Sequence, residues 1–547
     1  MRRALRQNRA RAQTALARSI PAPIGGWDTE SALADMPPQN AVILENWIPR
    51  GSYCQMRRGF VEQCTGTPAA VETLIAWHGP QSGDKLFAAS GAYLFDVTAA
   101  GALPSAAYAS AATARWNWTN FANAAGKWAI LCNGAQNPLK YDGSSWSTNI
   151  PTGTGLTATN LKYVMNFKTR LHYAEDNSLV VWVTATSAIA GACTKLDLGP
   201  IFAKGGYLVG LGRLTLDGGN GPDDYACYLT NQGEVAIYKG SDPSDATNWF
   251  LVGVYTLAKP IGDRAILAYG PDLLILTEVG LLSLTKALST PIEEQRKNSV
   301  SRQVATAFAD AAKAYKSNFG WQPVLYGGRG GLLIVNVPTA ELSTSEQYVR
   351  STSGNAWCRF TGIPAFCWAQ ANGMVYFGSA AGIYQWDVGA SDNGEFIVAD
   401  ALPSFQAFGN RAVRKAFSMV RALMFCPSIV KPSLQVVTDF DKSTIPTAIP
   451  STVDAGDISP TDSTVVRDDW TGAAGSGYFG SPRLRVSLAG SATADRVAVT
   501  ADHADLALIG PSGTDPTSHI LTRPNLPLDV EVQLLGFDLM FEGGAVL

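Results

Sequence analysis

Lys85-Leu-Phe-Ala-Ala-Ser-Gly-Ala-Tyr-Leu-Phe-Asp-Val97 and Met374-Val-Tyr-Phe-Gly-Ser-Ala-Ala-Gly-Ile-Tyr-Gln-Trp-Asp-Val388 are two far-separated copies of one phrase. Each reads as a short apolar strand, a tight turn, and a second apolar strand ending near an aromatic residue. Related turns lie between them at Asn133-Gly134, Asn177-Ser178, Gly233, Gly280 and Gly330-Gly331. Taking one turn residue from each (91, 134, 178, 233, 280, 331 and 382), the spacings are 43, 44, 55, 47, 51 and 51 residues. A period of roughly 40–50 residues with several strands per unit predicts propeller blades. The expected fold is therefore an all-β propeller of five to eight blades, with seven the literal count.

Around this centre the chain divides into four parts. Residues 1–34 form a basic arm and loop, 35–70 a strand segment, 71–400 the propeller, and 401–547 a second β-rich region. In the last, alternating strands are expected at Ala416–Cys426, Ser433–Val437, Arg483–Leu488, Val497–Thr500 and Leu528–Phe541. One segment breaks the β pattern. Val300, Val304, Phe308, Ala311, Ala312 and Tyr315 share one helical face, which predicts a single inserted helix over Asn298–Tyr315 with Ser299 as its N-cap.

Composition bounds the function classes. Of 547 residues, 46% are hydrophobic and only 16% charged, with 53 Gly and 30 Pro. That suits a turn-rich β protein with a largely neutral surface, easier to bury against other subunits than a dense charge layer. A net charge of −3 argues against a globally basic nucleic-acid binder. Eight irregularly spaced cysteines, several inside apolar strands such as Cys132 and Cys227, read as buried free thiols rather than a disulfide framework. No apolar run is long enough for a membrane helix, and the start lacks a secretory signal. It carries Arg2, Arg3, Arg6, Arg9, Arg11 and Arg18 with no acid before Asp28. That composition fits a partly disordered leader or an arm that orders on an acidic partner, and it shares features with organelle transit peptides.

The catalytic inventory is poor. His78, His172, His503 and His519 stand singly, and neither Cys54/Cys64 nor Cys358/Cys367 has the spacing of a zinc site. Gly79–Lys85 is only superficially like a phosphate-binding loop. The acidic turn Asp217–Asp224 lacks the alternating ligands and closing Glu of a calcium loop. Asp96, Asp142 and Asp387 are the blade acids that a propeller glycosidase would bring together in its channel, though each sits at a strand end where an acid closes a turn. The sequence therefore assigns no catalytic, cofactor-binding or metal-ligating residue, and a non-enzymatic protein is expected.

Several segments in consistent order resemble the nozzle proteins (tail tubular proteins) of short-tailed bacteriophages, in their divergent branches. They are Asp35-Met-Pro-Pro-Gln-Asn-Ala-Val-Ile-Leu-Glu-Asn-Trp-Ile-Pro49, Met56-Arg-Arg-Gly-Phe60, Pro260-Ile-Gly-Asp-Arg-Ala-Ile266, Asp272–Leu281, Gln347–Phe360 and Tyr376–Asp387. The resemblance covers about residues 35 to 390, and the C-terminal third matches in general character only. It implies a structural virion protein, made in the host cytoplasm and placed in the virion tail. Six copies would form a ring below the head-to-tail adaptor, contacting tail fibres or spikes, with an axial channel that viral DNA touches transiently during ejection. The rival reading is a receptor-binding or polysaccharide-degrading tail component. A cellular WD-type scaffold is disfavoured because Trp386-Asp387 is the only Trp-Asp pair in a blade, and Asp469-Trp470 has the reverse order.

Overall fold

A computed structural model describes residues 15–79, 83–217, 222–245, 247–328, 330–427, 429–453, 463–466, 469–490 and 532–543. His503, His519, the expected strand Val497–Thr500 and the arginines before Arg18 lie outside them. The period of the turns is realised as seven antiparallel blades, six of them separate small sheets and the sixth in chain order one end of a ten-stranded sheet. Blade one comprises Val71–Trp77, Lys85–Ser90, Tyr93–Asp96 and Tyr108–Ala109, and blade two runs from Asn117 to Thr148. Blade three spans Leu161–Asp197, blade four Leu208–Thr256, blade five Ile266–Ser283 and blade six Gln322–Phe360. Cys367–Ala371, Met374–Gly378 and Gly382–Trp386 build blade seven. Its fourth strand is Phe60–Thr65, which precedes blade one in the chain.

That strand closes the ring. Phe60–Thr65 pairs with Gly382–Trp386, and Val71 N–H then donates to Ser379 O at 2.9 Å as the chain enters blade one. Hydrogen bonding of the propeller thus begins at Phe60, inside the segment 35–70 that the sequence sets apart. The chain is a β-propeller of seven blades with an additional β-rich region. Apolar clusters lie between successive blades: Ile75, Phe87 and Trp116 between one and two, and Phe167, Tyr228 and Trp249 between three and four. Each blade is half a core until its neighbour covers it.

The second β-rich region is two packed sheets. One contains Lys415–Pro427, Gln533–Gly543, Thr471–Gly477, Ser463–Val466, Trp47–Pro49, Cys54–Met56 and Leu16–Pro21. The other contains Asn40–Glu45, Ile397–Pro403, Gly480–Gly490 and Ser433–Thr438, with Gly26–Trp27 and Pro450–Val453 at its margins, and it continues into blade six where Glu45 pairs in register with Arg359. Val420, Met424, Val436, Leu484, Val486, Leu534 and Leu539 belong to one shared core. In Lys415–Pro427 buried residues alternate with more exposed ones through the strand's middle, as a one-sided sheet requires. Arg483 fastens this region internally through a two-pronged bond to Asp400 at 3.0 and 2.8 Å.

Two expectations are corrected. Leu16–Pro21 is not part of a free arm: it pairs antiparallel with Gly536–Phe541, so an arm could extend no further than residue 15. The inserted helix spans Ala305–Tyr315, shorter than Asn298–Tyr315. Ser299 does not cap it, because its hydroxyl donates to Arg296 O at 2.9 Å, and Arg302–Val304 makes a 3-10 turn before the helix begins. The apolar face is as expected, with Phe308 packed edge-on against Tyr348 and Trp357.

Candidate functional site

Two places gather chemistry: a buried joint where propeller meets sandwich, and the propeller's central cavity. The joint is built on Arg57. Its guanidinium donates from Nη1 to Asp392 Oδ1 at 2.7 Å and from Nη2 to Oδ2 at 2.5 Å. Nε donates to Asn46 Oδ1 at 2.7 Å, and the remaining two donors reach Arg58 O and Thr361 O at 3.0 and 2.8 Å. All five donors of the fork are thereby satisfied. Asn46, at φ 58°, passes the connection on through Nδ2 to Thr361 Oγ1 and Val398 O. The Arg57 side chain is 0% exposed and that of Asp392 7%. Burial pushes the Asp392 carboxyl above the ordinary Asp value, against the pull of Arg57. Desolvation is thus the larger effect here, as is common for buried pairs.

Four of the quoted sequence phrases meet at this joint. Asn46 and Trp47 come from the first, Arg57 and Gly59 from the second, Trp357 to Phe360 from the fifth, and Trp386 from the last. Glu45 pairs with Arg359, and Phe360 and Trp386 lie 5.8 Å apart between ring centres. Gly59 is required by space, since a Cβ there would stand 1.7 Å from Ser391 O. These residues are spent on holding the fold together.

The central cavity, about 290 Å³, is lined by the inner strand of every blade. Those inner strands neighbour one another around the ring. Side chains stitch them: Trp118 Nε1 donates to Leu74 O, Asn117 Nδ2 to Lys162 O, and Gln322 exchanges two bonds with Trp368. The Pro260–Ile266 phrase enters here. Gly262, at φ 73°, lets the chain turn against Trp321, where a Cβ would approach Trp321 Cβ to 3.1 Å. Arg264 then reaches across to blades one and two, donating from Nη2 to Glu72 O, Thr73 Oγ1 and Trp116 O at 3.0, 2.7 and 3.3 Å.

The acids singled out in the sequence do not converge in this cavity. Asp96 holds Lys85 at 3.0 Å and the Thr98 hydroxyl at 2.6 Å. Asp142 closes a turn on Ser144 and Ser145, whose donors lower its carboxyl to about 2. Asp387 accepts from Tyr326 Oη at 2.9 Å. The carboxylate that lines the cavity is Asp263, which sequence reasoning passed over. Of the acidic turn, Asp223 pairs with Lys239 and Asp224 accepts from Thr215, so both serve the hairpin. In the loop after Gly79, Asp84 accepts from Gly79 N–H, unlike a phosphate cradle. Seven cysteines are buried and Cys193 is half-buried, all as free thiols. Among the described residues no group of His, Cys, Asp and Glu could hold a metal, and no helix is long and apolar enough to cross a membrane.

His172 is fully buried between blades three and four, with Nδ1 2.8 Å from Tyr228 Oη and Nε2 without a partner. Burial, helped by Arg170, lowers its pKa from 6.5 to about 3. The unfolded chain therefore binds a proton that the folded chain refuses over this interval. The stability is present above about pH 6.5 and is lost as pH falls toward 3, at about 1.4 kcal/mol per unit. A His172→Gln variant is expected to lose roughly 2 kcal/mol less than the parent between pH 6.5 and 5, measured by urea titration at each pH. Equal losses in the two proteins would show that His172 protonates freely in the fold.

No known family matches the chain, and no curated protein matches it. Similar solved structures include BBS1N in complex with ARL6DN, at 10% identity, covering 60% of this chain and 98% of that one, TM-score 0.37. The WD40 β-propeller domain of Doa1 is 9% identical, covering 60% and 96%, TM-score 0.37. PorZ of the Porphyromonas gingivalis type-IX secretion system is 13% identical, covering 65% and 44%, TM-score 0.35. At such scores the likenesses carry no argument about role, and the propeller assignment rests on the seven blades and their closure.

Proposed function

We propose that this chain is a structural subunit of the tail nozzle of a short-tailed bacteriophage. Six copies form a ring below the adaptor, the ring carries fibres or spikes, and DNA leaves along its axis. The observation that carries the reading is the fate of the nozzle-like phrases. Most of them converge on one buried joint and another closes the propeller's cavity, so they specify a frame rather than a reaction centre. The cavity adds a constraint: B-form DNA, whose major groove alone is about 12 Å wide, cannot thread about 290 Å³ crossed by Arg264. A genome path in this reading therefore runs between copies and not through any one propeller.

Surface character supports assembly. Blade four ends in Trp249–Thr256, which pairs on one side only among the described residues and leaves Phe250, Leu251 and Val252 exposed. Such an edge invites cover by another chain. A ring closes through heterologous contacts repeated by rotation. A wall without a Lys/Arg excess would let DNA slide rather than hold its phosphates. Negative-stain microscopy of the purified chain is expected to show six-fold rings. Monomers that cleave host polysaccharide would replace this reading with the depolymerase one.

A further inference from the structure

Arg264 is a cation set into the propeller's centre without a carboxylate of its own. Its neighbours Arg115 and Lys162 are fully engaged: Arg115 pairs with Glu72 and Glu341 at 2.6 and 2.8 Å, and Lys162 with Asp176 and Asp263 at 3.1 and 3.3 Å. Arg264 makes no ion pair among the described residues. Only Nη2 finds protein acceptors, and these are neutral oxygens, which leaves Nε and Nη1 without a protein acceptor. Phe319 covers one face of the guanidinium, 5.0 Å from its centre. The residue lines both the central cavity and an adjoining one of about 200 Å³ that shares Trp116, Asn117 and Asp263 with it. Burial holds its pKa below the ordinary Arg value, yet guanidinium does not deprotonate in proteins, so the charge remains.

We propose that the central cavity of the propeller is a binding site for one small oxyanion, held by a single charged N–H of Arg264 (Nε or Nη1) and by the uncompensated charge behind it. A hydrogen bond from a charged guanidinium N–H to an anionic oxygen is roughly twice as strong as a neutral one, and with Nη2 engaged by protein the contact is one-pronged. The cavity has the right scale: about 290 Å³ is room for a small anion with several waters and not for a polymer. Asn117 and Gln322 add polar wall, while Trp116, Trp118 and Trp368 supply apolar sides. Asp263 is the opposing element. It sits on the same wall, half-exposed, and is held by Lys162 and by Tyr163 Oη at 3.1 Å. It sets selectivity against a highly charged ligand, because its field repels a dianion more than a monoanion.

The test is titration of the full chain with acetate and, separately, inorganic phosphate at constant ionic strength, followed by isothermal calorimetry and by thermal denaturation. A saturable heat and a rising Tm are expected, with acetate favoured over phosphate at neutral pH. Arg264→Gln is expected to weaken binding at least tenfold. Because that variant also loses the bonds to blades one and two, Asp263→Asn supplies the second arm. Removing the opposing charge should tighten binding several-fold, an effect that a purely structural Arg264 would not produce. No saturable binding of either anion to the parent chain, unchanged affinity in Arg264→Gln, or unchanged or weaker affinity in Asp263→Asn would overturn the proposal. Phosphate bound more tightly than acetate would keep the site and reverse the assignment of Asp263.

Discussion

Replacing Asp392 by Ala is expected to lower the unfolding free energy by about 3–5 kcal/mol, because it strands a buried guanidinium. Arg57 is completely enclosed and both of its outer nitrogens lean on the two oxygens of Asp392. Deleting the carboxylate leaves a charge with two vacant donors and no route to water. The loss should be concentrated in the joint, since Arg57 also carries Asn46 and Thr361. The double replacement Arg57→Met with Asp392→Leu removes both charges and is expected to recover a large part of the loss. Urea denaturation of the three proteins at one pH measures this. An Asp392→Ala midpoint equal to the parent's would mean that the pair is already hydrated and that the joint is held by its aromatic residues alone.

Phe308→Ala is expected to cost a comparable amount, about 3–5 kcal/mol. Phe308 is 0% exposed and stands between Tyr348 and Trp357, at 5.0 and 5.8 Å between ring centres. Both partners belong to blade six, so the helix Ala305–Tyr315 is a plug on that blade and not a loose connector. Truncation leaves a cavity walled by rigid rings, which relax poorly. A change near zero in the unfolding free energy would show that the helix contributes little to the fold. Phe308→Leu, which keeps most of the volume, should fall well below the Ala value.

What the sequence revealed followed from local chemistry. Six of the seven turns singled out join the second and third strands of a blade; in five of them a Gly or Asn takes positive φ, and at Gly382 space excludes a side chain, since a Cβ would stand 2.4 Å from Cys64 O. In blade six Gly330-Gly331 joins the first and second strands instead. Its second-to-third turn is built on Leu342 at φ 51° without a glycine, so no local signal marked it. The closing strand Phe60–Thr65 was invisible as such, because its partner Gly382–Trp386 is distant in sequence and no local pattern encodes that pairing. The helix was read too long at its start for a related reason. Ser301 Oγ is used to receive Leu281 N–H at 2.9 Å, so tertiary bonding holds that turn out of the helix. Arg264 and Asp263 were legible as part of a phrase, but nothing local says that a loop residue will cross a cavity lined by seven strands.

The joint and the cavity bear on function together. Both place the nozzle-like residues in the service of a closed, rigid subunit, which is what repeated contacts around a ring need. The most direct measurement is a reconstruction of infectious particles by electron cryomicroscopy, with the chain located by its seven-bladed density. Six copies are expected around the tail axis below the adaptor, each propeller closed at its centre and the DNA path bounded by several copies. Density for this chain off the tail axis, in side fibres, or DNA threading an individual propeller would contradict this arrangement.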